Sequence, residues 1–478
     1  MVDDKNCSKE NLNKLALKAG GWYVFSSIML QAISILSTPI FTRIMSTEDY
    51  GITATFNSWC SLLIVFCTLN LTYSIGRAKL DYPDKIDDYI GSMQLLSMLI
   101  ACAISIFMII FIKPLAVFFE LPVIGVLLLV VYLLVTPTIR FFQNGCRYRY
   151  RYKENVAIAL IISVGSIACS LILIGGFDGN RAIYRMIGGL IPSVIIALYI
   201  WVKSIREGHI IYNKEYWKYG LNLSVPLILH ELSRNLLSQF DRIFIVKMCG
   251  PSATGIYSIA SNYGVLMTVV TGAVSQGWLP WFHDKYHAKE FGEIRKNVKL
   301  IVILACYIGL ACIALAPEAV AILGGAEYAE GIYCVAPITL GVVCQYIYSH
   351  YVNIEMHLKK TRFVPIGTLG AATINIILNA IFIPLFGYIA AAYTTFVSYF
   401  VLMLIHYAYT RFVLKVQLYN DKFMFGVIAV TTIVAEVLVV SYISTIVRYI
   451  LLGIGFVTFL FVFRNFLYRY VKNMRRQK

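Results

Sequence analysis

Arg147-Tyr148-Arg149-Tyr150-Arg151-Tyr152-Lys153, then Asn155-Val156-Ala157-Ile158-Ala159-Leu160-Ile161-Ile162-Ser163-Val164-Gly165-Ser166-Ile167-Ala168-Cys169-Ser170-Leu171-Ile172-Leu173-Ile174-Gly175: the two parts of this stretch decide the fold. The second part carries no charge, and a bilayer core of about 30 Å takes about 20 such residues as a helix. It does not alternate apolar with polar residues, so a helix is indicated and a barrel strand is not. The first part places Arg among lipid headgroups and Tyr at their level, an interfacial anchor. The same interleaving of basic and aromatic residues suits stacking on bases. The net charge of +16 is spread over short gaps between apolar runs, where anionic headgroups attract it. No nucleic-acid partner is expected.

Working outward, fourteen such segments recur, at about 21–44, 51–75, 90–112, 122–144, 155–175, 182–202, 221–247, 254–280, 297–316, 331–356, 363–384, 387–410, 423–444 and 446–466. The chain has 478 residues, 59% hydrophobic and 14% charged, with mean hydropathy +0.73. An all-α polytopic membrane protein follows, because lipid leaves no other way to pair every backbone group. Of the 41 Lys and Arg, 33 fall in the even-numbered gaps, their flanking turns and the two tails. Six fall in the odd-numbered gaps and their flanking turns: Arg43, Lys113, Arg181, Arg185, Lys247 and Arg448. By the positive-inside rule both termini are cytoplasmic. No gap has room for a soluble catalytic or nucleotide-binding domain. Neither a GxxxxGK phosphate loop nor an HExxH or GxSxG motif occurs. The 11 cysteines include no CxxC pair, and neither a metal site nor a cofactor is expected.

Shifting the chain by 204 residues lays Thr42-Arg43-Ile44-Met45-Ser46-Thr47-Glu48-Asp49-Tyr50-Gly51-Ile52 on Val246-Lys247-Met248-Cys249-Gly250-Pro251-Ser252-Ala253-Thr254-Gly255-Ile256. In both copies a basic residue precedes Gly-Ile by eight positions. Span 1 then falls on span 7 and span 2 on span 8, which implies two parallel six-helix halves. The expected domains are 1–210 (spans 1–6), 211–415 (spans 7–12) and 416–478 (spans 13 and 14 with a basic cytoplasmic tail).

Span 7 carries the chemistry. It reads Leu221-Asn222-Leu223-Ser224-Val225-Pro226-Leu227-Ile228-Leu229-His230-Glu231-Leu232-Ser233-Arg234-Asn235-Leu236-Leu237-Ser238-Gln239-Phe240-Asp241-Arg242-Ile243-Phe244-Ile245-Val246-Lys247. His230, Arg234, Ser238 and Asp241 share one helical face, with Glu231 and Asn235 in an adjacent row. An ionisable residue near the midplane costs several kcal/mol unless paired or hydrated, so it marks a pathway. Arg234, His230, Glu231 and Asn235 are therefore the candidate binding residues for an anionic headgroup. The bland alternative is a Glu231–Arg234 or Asp241–Arg242 pair that joins helices. Gln31 and Ser34 on span 1, Asn57 and Ser61 on span 2, and Asn262 and Gln276 on span 8 form the candidate polar lining. Each of these, taken singly, also serves as helix-to-helix glue. Asp241 and Glu436 are candidate ion- or proton-coupling carboxylates, Glu436 as a lone buried acid on span 13. His350, Asn353, Glu355 and His357 near the end of span 10 read as interfacial. The Asp81, Asp84, Asp87 and Asp88 cluster reads as a solvated loop.

Four segments carry a family resemblance: Ser46-Thr47-Glu48-Asp49-Tyr50-Gly51, Asp241-Arg242-Ile243-Phe244-Ile245, Gly255-Ile256-Tyr257-Ser258-Ile259-Ala260 and Gln276-Gly277-Trp278-Leu279-Pro280-Trp281-Phe282. In order and spacing the chain resembles the polysaccharide-transporter branch of the multidrug/oligosaccharidyl-lipid/polysaccharide flippase superfamily, the Wzx-like O-antigen or capsule flippases. The resemblance spans essentially the whole chain. It implies two six-helix lobes in a V, plus two C-terminal helices, in the bacterial inner membrane. The implied substrate is a polyprenyl-diphosphate-linked oligosaccharide, moved to the outer leaflet for surface polysaccharide synthesis. Implied partners are membrane lipids and the polymerase and chain-length machinery. Span 1 departs from the lipid II flippases of the superfamily in having no buried arginine or acid, which disfavours a peptidoglycan precursor. A cation-coupled drug or metabolite antiporter of the same superfamily and a membrane-embedded polymerase or ligase are the rival readings.

Overall fold

The computed structural model describes the backbone of residues 9–476 and the side chains of 18–264 and 266–464. The start of the basic N-terminal tail, including Lys5, lies outside the described residues, as does the last Lys478. Among the described residues every regular element is a helix. The spans are α1 (Lys9–Ile44), α2 (Thr47–Thr68), α3 (Ile86–Ile110), α4 (Val123–Tyr148), α5 (Tyr152–Gly176), α6 (Arg181–Arg206), α7 (214–249), α8 (251–287), α9 (Phe291–Ala314), α10 (Ile332–His357), α11 (Phe363–Phe386), α12 (Ile389–Ala408), α13 (Asp421–Val440) and α14 (Thr445–Arg476).

The fourteen spans expected from the sequence are present. Among the described residues thirteen helices are long and apolar enough to cross a membrane, and one of these, Lys214–His287, has 74 residues. At 1.5 Å per residue it is long enough to cross twice. Its helical path breaks at Gly250, where φ is 87° and ψ is 172°. A side chain disfavours that backbone and glycine does not. Pro251 follows as the first residue of α8, a position where its missing N–H costs nothing.

The turn before α2 is built as its sequence suggests. Ser46 Oγ accepts the Asp49 N–H at 3.1 Å, and the Asp49 carboxylate accepts the Ser46 N–H at 3.4 Å, which closes a capping box. Short helices follow α3 (Ile112–Phe119) and α9 (Ala316–Leu323), and the shift of 204 residues carries the start of one onto the start of the other. Pro39, Pro137, Pro192, Pro337 and Pro384 all lie within helices, as does Pro226.

The chain packs as two compact units, Met1–Ser258 and Ile259–Lys478. The first has a core around Phe56, Trp59, Leu129, Leu133, Met186 and Ile243. The Trp59 indole donates to the Phe119 carbonyl at 3.1 Å, so the short helix after α3 is pinned to α2. The second unit is built around Trp278, Phe282, Val302, Ile347, Tyr351 and Met403. Along α5, Ile161, Val164 and Ile172 are exposed, as expected of side chains whose solvent is lipid.

Candidate functional site

On α7, burial sorts residues that the sequence places together. Ser233, Leu237, Asp241 and Arg242 are buried, while Arg234 and Ser238 are exposed. The Arg234 side chain keeps 65% of its surface open, although it lies near the middle of a membrane helix. One N–H donates to Glu231 Oε1 at 3.3 Å. This is the pair anticipated as the bland alternative, and it engages a single donor of a guanidinium that has five. His230 and Asn235 are half-buried beside it. Of the other lining candidates in the first unit, Ser34 and Asn57 are exposed and Gln31 and Ser61 half-buried. Ser61 Oγ donates to the Asn57 carbonyl at 2.9 Å, and Thr38 to that of Ser34 at 2.9 Å. The Ser61 and Thr38 hydroxyls thus close on their own helices. In the second unit, Asn262 and Gln276 of α8 are exposed.

Asp241 lies on the angular face of Arg234 yet is 3% exposed. The reason is α8, which turns back after Gly250 and covers it. The Tyr257 hydroxyl donates to Asp241 Oδ2 at 2.7 Å, and Arg242 Nε donates to Ser258 Oγ at 3.1 Å. Arg242 also reaches Gln239 Oε1 at 3.2 Å, and Ser58 of α2 donates to the same oxygen at 3.4 Å. The Asp-Arg and Tyr-Ser motifs are thus each other's partners, a brace across α7, α8 and α2. Glu436 corrects its reading as a buried acid: it is exposed, one position from the fully buried Ala435. The packed face of α13 is Met424, Ile428, Thr431, Ala435 and Leu438, and Glu436 falls outside it.

The histidines and acids of α10 part company. His350 is buried against the rings of Trp278, Tyr346 and Tyr419. Glu355 accepts from or donates to His406 Nδ1 of α12 at 2.8 Å, with both side chains fully buried. His357 stacks on His283, their Nδ1 atoms 2.9 Å apart. Glu355 is therefore a core residue and not an interfacial one. A partner 51 positions away on another helix leaves no local signal in the sequence. The same holds for the buried ladder Asn375–Asn379–Thr394 between α11 and α12. Among the described residues no three His, Cys, Asp or Glu side chains converge as a metal site requires.

The acidic loop is cross-braced. Asp87 pairs with Arg149, and Asp88 with His209 at 2.9 Å. Asp81 meets the Tyr219 hydroxyl at 2.5 Å and Arg77 at 3.0 Å. The Tyr219 hydrogen bond, then that of Arg77, holds the Asp81 carboxyl below the usual carboxylate range. Part of the basic anchor thus serves ion pairs within the protein.

The second unit also holds a cavity of about 740 Å³ between α9, α13 and α14, lined by Ile303, Tyr307, Leu310, Val434, Leu451 and Phe459 among others. Among the described residues of its lining, Tyr307, Thr431 and Thr458 carry side-chain oxygens and Cys306 a thiol.

A sequence profile described as polysaccharide biosynthesis protein matches residues 16–285, more than half of the chain. The chain belongs to that family. Among its relatives, the Lsg locus protein 1 of Haemophilus influenzae is 21% identical over 286 residues, 56% of this chain and 66% of that protein. The succinoglycan biosynthesis transport protein ExoT of Rhizobium meliloti is 21% identical over 319 residues, 65% and 62% of the respective lengths. The chain thus matches just under two thirds of either relative. The lipid II flippase MurJ in an inward closed conformation superposes with TM-score 0.69 at 16% identity, over 93% of this chain and 99% of that one. An inward-facing MATE multidrug transporter superposes with TM-score 0.62 at 13% identity, over 80% and 94%. At these identities the likeness is one of fold: the helices are arranged as in those two membrane proteins.

Proposed function

We propose that this protein is a flippase that carries a polyprenyl-diphosphate-linked oligosaccharide from the cytoplasmic to the outer leaflet of the bacterial inner membrane. The exposed Arg234 carries the reading. A charged side chain at the centre of a membrane helix costs about 2.5–3.5 kcal/mol on insertion scales unless water or a counter-ion meets it. Glu231 meets it only in part, and a diphosphate has the charge and the acceptors to do the rest. At 4 Å and an effective dielectric of 20, each unit-charge pair is worth about 4 kcal/mol.

His230 and Asn235 flank Arg234 in this reading, and the polar faces of α1 and α2 replace water around the sugars through Gln31, Ser34, Asn57 and Ser61. Asn262 and Gln276 do the same on α8. The polyprenyl tail, which needs apolar cover and no hydrogen bonds, stays in lipid. The lobes that rock are the repeat halves 1–210 and 211–415, with 416–478 as the addition, and both termini are cytoplasmic. Asp241 and Glu436 remain the candidate coupling carboxylates. The product passes to polymerase and chain-length machinery outside. The chain transports and catalyses no covalent step.

Deleting the gene is expected to trap lipid-linked single repeat units in the inner membrane and remove the surface polymer, read by lipid extraction and mass spectrometry. Arg234→Ala is expected to reproduce that phenotype at normal protein level. An intact surface coat in the deletion strain overturns the reading; normal export by Arg234→Ala overturns the site.

A further inference from the structure

One face of α4, a helix of the first unit, changes character along its length. Leu129, Tyr132, Thr136, Arg140, Gln143 and Arg147 follow at spacings of three or four, so they form a single row. At the outer end the row is core, with Leu129 fully buried. Towards the cytoplasm it opens: Tyr132, Thr136 and Gln143 are half-buried, and Arg140 and Arg147 are exposed. The opposite face carries Val123, Ile124 and Leu127, all exposed and apolar, as suits lipid. A row of hydroxyl, amide and guanidinium groups on the other side calls for water or a ligand. Arg140 stands about 12 Å from the cytoplasmic end of α4. Among the described residues no carboxylate pairs with it. The Tyr132 hydroxyl interacts with Thr136 and Arg140 along the same helix. Arg147, about 10 Å nearer the cytoplasm, lies over the Tyr23 ring of α1 at 5.9 Å. Tyr23 in turn opens a polar row on α1 that continues through Ser27, Gln31 and Ser34. The two polar rows meet at the cytoplasmic rim of the first unit.

We propose that the inner half of α4 is a phosphate-binding track by which the lipid-linked headgroup enters from the cytoplasmic leaflet, with Arg147 at its rim and Arg140 as its principal contact. The inference rests on the flippase reading for the ligand, and on the charge pattern for which end is cytoplasmic. A guanidinium with no carboxylate partner offers a phosphate paired N–H donors in a fixed fork. The rival account is an arginine that reaches out along lipid to the headgroups. It does not explain Thr136 and Gln143, which are too short to do so and lie in the same row. Arg140 and Arg147 then pass the phosphates inward towards the depth at which Arg234 stands, so three exposed arginines of the first unit serve one path.

The test uses the full-length protein in lipid nanodiscs with polyprenyl diphosphate as the probe, binding being read by native mass spectrometry. Arg140→Ala is expected to weaken binding several-fold, and Arg140→Lys to restore most of it, because a lysine still offers phosphate a positive charge. Arg43→Ala removes the same charge on the opposite side of the membrane and should bind as the unaltered protein does. Polyprenol, which lacks the phosphates, should not distinguish Arg140→Ala from the unaltered protein. In a second arm Thr136→Cys, in a background without the 11 native cysteines, is expected to react with a membrane-impermeant thiol reagent in inside-out vesicles and to be protected by polyprenyl diphosphate. Equal binding by Arg140→Ala, full competition by equimolar inorganic diphosphate (a site for a soluble anion), or an unreactive Thr136→Cys overturns the track. Neither arm requires transport, so a failed track is told apart from a failed flippase assignment, which the deletion strain reports.

Discussion

Two helices of this protein carry the same kinds of polar residue and treat them in opposite ways. On α7, His230, Glu231 and Arg234 stay partly or largely open, and the one ion pair among them is a single bond at 3.3 Å. On α10, His350 and Glu355 are covered completely, Glu355 by its bond to His406 and His350 by aromatic rings. The difference separates structure from function within a membrane. A polar group that neighbouring helices satisfy has its role in the fold. One left open at that depth, Arg234 above all, is where the proposed function places the substrate headgroup.

The sharpest way to break the contrast is Glu355→Ala. It strands His406 in the core, and removing one member of a buried pair costs about 3–5 kcal/mol. A steep loss of Tm in detergent and of protein abundance is expected, whereas Arg234→Ala should lose export with little change in either. Equal Tm shifts for the two variants would end the distinction. Tyr257→Phe comes next. It removes a bond to the buried Asp241, with an expected loss of about 1–3 kcal/mol by thermal unfolding; a neutral result would free Asp241 from the brace. The smallest effect is expected at Glu231→Gln, since a partly exposed pair contributes about 0–1 kcal/mol. Its Tm should barely move, and export should survive better than in Arg234→Ala. A collapse in stability there would make Glu231–Arg234 a structural pair after all.

What the sequence revealed follows from what is local. Apolar runs set the number of spans, and Ser46 with Asp49 set the cap of α2. The 3.6-residue period placed Arg234 on a polar face, and its exposure agrees. The same period placed Asp241 beside it, and there it misled, because Gly250 folds α8 back over that part of α7. Glu436 misled in the other direction. Its helix is apolar all round, so nothing local marks which face α9 and α10 cover. The Glu355–His406 pair joins residues on different helices, and no spacing rule reaches across them. Local periodicity fixes angle around a helix, and only tertiary packing fixes depth.

The joins between spans are short; α6 ends at Arg206 and α7 begins at Lys214. A molecule so sparing with loops shows water little more than turns and helix ends. Antibodies and proteases therefore find few footholds on it, and a binder raised for structural work would have to read such turns, the one between α1 and α2 among them.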